Sequence, residues 1–224
     1  YNFSLWKSKS NDNSDNKENK DDSNDDDKMN AFYDENMDNG LSKIARYFLG
    51  GMLKYYKELC LLSEPTNNCY RRTNNHSWAP GNATWGYDNR NVMIRVKTKK
   101  NNGDTWFEYR NPSSACNPYL LISGVIQAGI DGIKNKINPN IDDCKDNPMN
   151  INSKFMDKKL MILLPNSLEN ALNCFDDSDY MKQSFSNQFT KCYIGTKRVE
   201  IQELKTKINE RNPDKMSPTD IETN

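Results

Sequence analysis

From Leu41 to Leu59, the residues Ile44, Ala45, Phe48, Leu49, Met52, Leu53 and Tyr56 recur at three- and four-residue steps. That spacing predicts an amphipathic helix whose apolar stripe lies in a core. Glu64-Pro65 ends it, because proline has no N–H to donate and restricts the residue before it. A second helix opens at Asn117-Pro118, with Asn117 as its cap and Pro118 in the first turn. Its apolar side is read as Leu121, Ile122, Val125, Ile126, Ile130 and Ile133, while Gly124, Gly129 and Gly132 allow close packing at some cost in helix propensity. Pro165-Asn166-Ser167 caps a short helix through Phe175, and further helices are expected near Ser178–Phe185 and from Gln188 to about Ile208.

Between the first two helices the period changes from helical to two. Val92, Ile94 and Val96 alternate with Met93, Arg95 and Lys97, and Thr105 to Arg110 alternates again with Trp106, Glu108 and Arg110 on one face. These are half-buried strands. Asn102-Gly103 between them is a strong hairpin signal. A two-residue turn there sets Arg95 directly across from Arg110, and like charges so placed are destabilising. An anion such as phosphate or carboxylate resolves the conflict, because the arginine fork matches both groups. Two arginines alone would ordinarily be surface residues reaching to water. Helix, strands, then several helices fit the α+β class. There are no internal repeats and no glycine-rich phosphate loop.

Two stretches break these patterns. Lys7 to Asn30 is Ser, Asn, Asp, Lys and Glu with almost nothing apolar, so it cannot bury enough surface to offset its entropy and reads as a disordered insert at about 8–30. Asn138 to Lys159 is polar and reads as a loop. Charge excludes some functions: 31 basic against 31 acidic residues give no global field for nucleic acid or an acidic membrane. No apolar run is long enough to span a bilayer and no secretory signal is visible. The six cysteines include no Cys-x-x-Cys pair and His76 is the only histidine, so a zinc site is not expected. Reduced thiols in a cytoplasmic protein fit this usage. The chain starts at Tyr1 without methionine and reads as a fragment.

Ser-Glu-Pro-Thr-Asn-Asn-Cys-Tyr-Arg-Arg (63–72), Ser-Trp-Ala-Pro (77–80) and Thr-Trp-Gly-Tyr-Asp-Asn-Arg (84–90) come in one order with Ile-Arg-Val (94–96), Phe-Glu-Tyr-Arg (107–110) and Ala-Cys-Asn-Pro-Tyr-Leu (115–120). Ala-Gly-Ile-Asp-Gly-Ile-Lys-Asn-Lys-Ile (128–137) and Leu-Pro-Asn-Ser-Leu-Glu-Asn-Ala-Leu (164–172) follow. Together they resemble the second half of the catalytic domain of the glutamine synthetase family. Asp220-Ile221-Glu222 resembles the start of that family's terminal segment. The resemblance implies a curved antiparallel sheet flanked by helices, with residues 1–224 as one partial catalytic domain carrying the insert. It also implies a homo-oligomer, a double-ring dodecamer or decamer when full length.

The resemblance implies roles for particular residues. Arg72 would hold the glutamate carboxylate, Arg90 and Arg95 the nucleotide phosphates and the phosphoryl group in transfer, and Arg110 the substrate and its acyl-phosphate. Glu108 would bind a divalent metal, Mg2+ or Mn2+, and Ser4 would lie near the adenine of ATP. The implied function is ATP-dependent glutamate–ammonia ligation through a γ-glutamyl phosphate, which needs positioning and charge stabilisation rather than a covalent enzyme intermediate. Residues 1–224 alone are expected to be inactive, because the resemblance puts further acidic ligands and a histidine upstream of Tyr1.

Trp78 departs from the glutamine synthetase pattern, which has a glutamate there. Ser-Trp-Ala-Pro and the 84–90 run are similar to a γ-glutamyl-polyamine ligase branch and to the lens protein lengsin, a member without known ligase activity. An indole at Trp78 could pack on an alkyl amine, bind a cation through its face, or simply fill a flap. Glutamate with ammonia, glutamate with a larger amine, and a non-catalytic scaffold therefore stand as alternatives at this point. The loop at 138–159 has no tyrosine, so the adenylylation site of some bacterial members is absent.

Overall fold

The computed structural model describes residues 1–7, 29–37, 39–73, 79–99, 103–148 and 162–211. Its strands are β1 (Asn2–Phe3), β2 (Trp6–Lys7), β3 (Met29–Asn30), β4 (Trp85–Tyr87), β5 (Ile94–Lys99) and β6 (Asp104–Tyr109). The helices are α1 (Lys43–Lys54), α2 (Tyr56–Ser63), α3 (Pro118–Lys134), α4 (Leu168–Asp177), α5 (Asp179–Ser184) and α6 (Asn187–Arg211), with a 3-10 helix at Asn67–Thr73. The mixture of helices and open sheet is the α+β class.

Four strands form the main sheet in the order β1-β6-β5-β4. β1, β6 and β5 run antiparallel, and β4 adds a parallel pair on the far edge of β5. The β5–β6 ladder runs from Ile94 opposite Tyr109 to Lys99 opposite Asp104. Residues 100–103 thus connect the strands, where a two-residue turn at Asn102-Gly103 was expected. The register moves by two, and Arg95 pairs with Glu108 instead of Arg110. A slip of two preserves which face each side chain occupies, so the expected faces survive while the partners change.

Ile94, Val96, Phe107 and Tyr109 point inward and are fully buried. Phe3, Phe32, Phe48 and Phe107 meet in one aromatic cluster that ties β1, the turn after β3, α1 and β6 together, with Phe32 and Phe107 centroids 4.6 Å apart. The stripe read from Leu41 onward is core as expected: Phe48, Leu49, Met52 and Leu59 are fully buried. It lies on two helices, however, because the helix breaks at Tyr55. Ser42 caps α1 by accepting from the Ala45 N–H, and Asn117 caps α3 by accepting from Tyr119 and Leu120.

α1 and α3 approach backbone to backbone. A Cβ on Gly51 would stand 2.0 Å from the Ala128 carbonyl oxygen, and one on Gly132 would stand 2.1 Å from that of Tyr47. This contact turns α3 so that Leu121, Gly124, Val125, Ala128, Gly129 and Gly132 are buried. Ile122, Ile126 and Ile130 were expected in the core but are exposed. Gly132 lies on the buried side because only glycine admits the α1 backbone there, and Gly124 and Gly129 leave room for the Leu62 and Phe48 side chains.

The low-complexity insert falls mostly outside the described residues. Its edges do not: Lys7, Met29 and Asn30, counted within that polar stretch, belong to the β2–β3 ladder. The Asn30 amide donates to the Thr105 carbonyl at 2.9 Å, fastening that edge to β6. The 138–148 part of the polar loop is also anchored, since Trp85 Nε1 donates to Ile141 O and Asn89 Nδ2 donates to Cys144 O.

Candidate active site

The strand period aims Arg95 and Glu108 away from the core, and Arg110 leaves the end of β6 on the same side. Glu108 bridges the two arginines. Its Oε2 accepts from Arg95 Nη1 at 3.1 Å and its Oε1 accepts from Arg110 Nη1 at 2.9 Å. Arg95 Nη2 also reaches Oδ1 of Asp88 at 3.2 Å, and Asp88 is itself held at φ 48° in the connection out of β4. Burial pushes the Glu108 carboxyl up, but the hydrogen bond from Arg95 and the charge of Arg110 outweigh it and hold the pKa below its ordinary value.

The anion expected between Arg95 and Arg110 is therefore not required by the sheet. Glu108 sits between them and supplies the negative charge. The prediction that these side chains gather on one face holds for Arg95, Glu108 and Arg110, while the argument from an uncompensated like-charge pair does not.

Arg72 arrives from another element. The 3-10 helix after Pro65 carries it to the end of β6, where its Nη2 donates to the Asn111 carbonyl. Among the described residues Arg72, Glu108, Tyr109 and Arg110, with Tyr1, Ala79 and Pro112, line one open pocket of about 350 Å³. Two guanidinium groups beside one carboxylate suit a small acidic ligand better than a hydrophobic one.

Other expected residues stand apart. Arg90 is exposed in the connection between β4 and β5 and is not among the described lining residues. Ser4 lies between β1 and β2, its hydroxyl accepting from Trp6 Nε1 at 2.8 Å. Trp78 lies outside the described residues.

Glu64 and Asn111 escaped the sequence reading. Glu64 caps the end of α2 and is completely buried, with Arg72 Nη2 3.7 Å from its Oε1. Burial drives its pKa up to about 7 against the opposing charge of Arg72 and contact with Asn111. The Asn111 amide donates to Ser63 Oγ at 2.9 Å. The signal for Glu64 was the pair Glu-Pro itself, which reads locally only as a helix end.

A divalent metal finds little here. Among the described residues no three His, Cys, Asp or Glu side chains cluster. Mg2+ prefers near-octahedral oxygen coordination, whereas Glu108 offers one carboxylate already engaged by two arginines. The described residues match such an ion in donor type and fall short in number.

Residues 23–216 match the family described as "Glutamine synthetase, catalytic domain". The chain belongs to the glutamine synthetase family. It is 32% identical over 183 residues to the glutamine synthetase of Methanosarcina mazei, covering 82% of this chain and 40% of that protein. The Clostridium saccharobutylicum glutamine synthetase is 33% identical over 184 residues, covering 82% and 41%. Type-1 glutamine synthetase 1 of Dictyostelium discoideum is 31% identical over 175 residues, covering 77% and 34%. A solved GmaS/ADP complex superposes with a TM-score of 0.67 at 26% identity, covering 79% of this chain and 40% of the other. The chain thus spans about 40% of the length of the curated glutamine synthetases it matches. The glutamine synthetases are ligases, and no described helix of this member is long and apolar enough to cross a membrane.

Proposed function

We propose that this chain carries part of the active site of an ATP-dependent ligase that joins glutamate to ammonia. The side-chain carboxylate of glutamate takes the γ-phosphoryl group of ATP, and ADP leaves. Ammonia then attacks the acyl carbon, its C–N bond forms as the C–O bond to phosphate breaks, and the nitrogen gives up a proton. The observation that carries this reading is the meeting of Arg72, Arg110 and Glu108 at one pocket.

In that reading Arg72 binds a carboxylate of glutamate, and Arg110 steadies the charge that builds on the acyl-phosphate. Arg95, held on the sheet by Glu108 and Asp88, faces the phosphates, with Arg90 and Ser4 assigned to the nucleotide on family grounds alone. Arginine suits these tasks because it stays charged and offers a planar fork. A divalent ion, Mg2+ or Mn2+, would neutralise phosphate charge; it would take one carboxylate, Glu108, from the described residues and its other oxygens from elsewhere. The ADP in the similar GmaS complex supports a nucleotide as co-substrate. Assembly into a double ring is proposed from the family.

The amine is the open choice in chemistry, and Trp78 is the residue on which it turns. Phosphate release by the full-length protein, measured with ATP, glutamate and either ammonia or a diamine, tests both points. Release that needs glutamate and runs faster with ammonia supports the reading. Preference for the diamine replaces it with γ-glutamyl-polyamine ligation, and silence with every amine leaves a non-catalytic relative.

A further inference from the structure

Glu64 is fully buried, and neither carboxylate oxygen makes a hydrogen bond of good geometry. Such an anion is far more costly inside a protein than a neutral side chain of the same shape. Glu64 is not among the described residues lining the pocket. Its charged neighbour is Arg72, whose Nη2 lies 3.7 Å from Oε1 and also donates to the Asn111 carbonyl. Arg72 therefore has a back edge fixed by Glu64 and Asn111 and another edge at the pocket, where Arg110 is the second cation.

We propose that Glu64 is a positioning residue for Arg72: a buried counter-charge that sets the guanidinium against the pocket wall, ready to receive a substrate carboxylate. The proposal rests on the reading of Arg72 given above. Two properties support it. The Arg72 side chain is 40% exposed, so a fixed negative charge on its buried side restrains it from turning toward water. Arg110 has a carboxylate beside it in Glu108 at 2.9 Å, and Glu64 is the carboxylate beside Arg72, on its buried side.

The groups facing Glu64 are Cys60 from α2, Tyr70 and Arg72 from the 3-10 helix, Tyr109 from β6, and the Asn111 amide. Burial raises Cys60, Tyr70 and Tyr109 above their ordinary values, so all three stay neutral near pH 7. Glu64 itself, raised to about 7, is the group among them that changes charge in that range. Anchoring requires its anion, so it is present above that value and lost as pH falls.

Glu64→Gln in the full-length protein keeps the shape and removes the charge. At about pH 8 the KM for glutamate should rise by roughly tenfold, with kcat changed far less. In the wild type the glutamate KM should rise as pH falls from about 8 to 6; in E64Q it should be flat and high. An E64Q enzyme with the wild-type KM and the same pH slope overturns the proposal. Glu64→Asp keeps the charge on a shorter arm and should retain the pH slope if E64Q fails to fold; a flat profile in E64D also overturns it. Should the wild type have no ligase activity, the reading of the site fails separately. The Arg72 Nε–H resonance, assigned with Arg72→Lys, then decides the anchor: it should titrate near pH 7 in the wild type and not in E64Q. An Arg72 signal indifferent to Glu64 overturns the anchor whatever the activity.

Discussion

Arg95 faces Glu108 across the β5–β6 ladder, and its Nη1 lies 3.1 Å from Glu108 Oε2. The other oxygen of the same carboxylate accepts from Arg110. One glutamate thus keeps two guanidinium groups side by side on the sheet face. Their side chains are only 12% and 18% exposed, which limits screening by water. Removing Glu108 leaves two close cations with no charge between them.

Glu108→Ala should therefore destabilise the fold by about 1–3 kcal/mol, more than an ordinary surface ion pair is worth. Urea midpoints for wild type and variant measure it. Replacing Arg95 with Met in the E108A background should recover part of the loss, because one of the two repelling charges is gone. A loss below about 0.5 kcal/mol would place Glu108 among weak surface pairs.

Glu64 makes stability depend on pH in the direction opposite to a paired carboxylate. Its pKa rises from 4.5 to about 7 on folding, so between those values the folded protein holds a proton that the unfolded chain has released. Stability then falls as pH rises through this window. Glu64→Gln should be more stable than wild type at about pH 8 by on the order of 2–3 kcal/mol, with the advantage shrinking toward pH 5. Thermal unfolding across pH tests this, and a less stable E64Q at pH 8 would contradict it. A residue that lowers stability while ordering Arg72 would be a cost borne for function.

Gly51→Ala should cost about 3 kcal/mol or abolish folding, since its Cβ would stand 2.0 Å from the Ala128 carbonyl oxygen, a backbone atom that cannot swing aside. Gly195→Ala on α6 is the control: nothing lies within 4 Å of its Cβ, and helix propensity favours alanine by about 0.8–1 kcal/mol. Circular dichroism melts of both variants distinguish packing from propensity. Equal effects would contradict the backbone-contact account of the α1–α3 packing.

The legible parts of the fold were those that local chemistry decides. Asn117-Pro118 and Ser167 mark helix starts because capping needs only neighbouring backbone N–H groups. Alternation placed Arg95, Glu108 and Arg110 on one face because side chains in a strand alternate whatever the partner. The register was not legible, since it depends on a connection longer than the turn signal suggested. The break at Tyr55 has no proline or glycine of its own to announce it. Ile122, Ile126 and Ile130 looked like core because hydrophobicity shows a stripe, whereas the close approach of the α1 backbone at Gly132, with Phe48 seated on Gly129 and Leu62 on Gly124, chose the neighbouring side. In the site, Arg72 and Arg110 came from family motifs, while the burial of Glu64 beside Arg72 is a tertiary fact that no local pattern carries.

The proposal that Arg72, Glu108 and Arg110 form part of a glutamate-activating pocket makes substrate-dependent phosphate release depend on them. The most direct measurement is phosphate release from ATP by the full-length protein, with glutamate and ammonia together or singly, in wild type and in Arg110→Ala. Release should require both glutamate and ammonia in the steady state, with kcat/KM for glutamate reduced by about 100-fold or more in R110A while its circular dichroism spectrum matches wild type. Release indifferent to glutamate, or an R110A enzyme as active as wild type, would contradict the proposal.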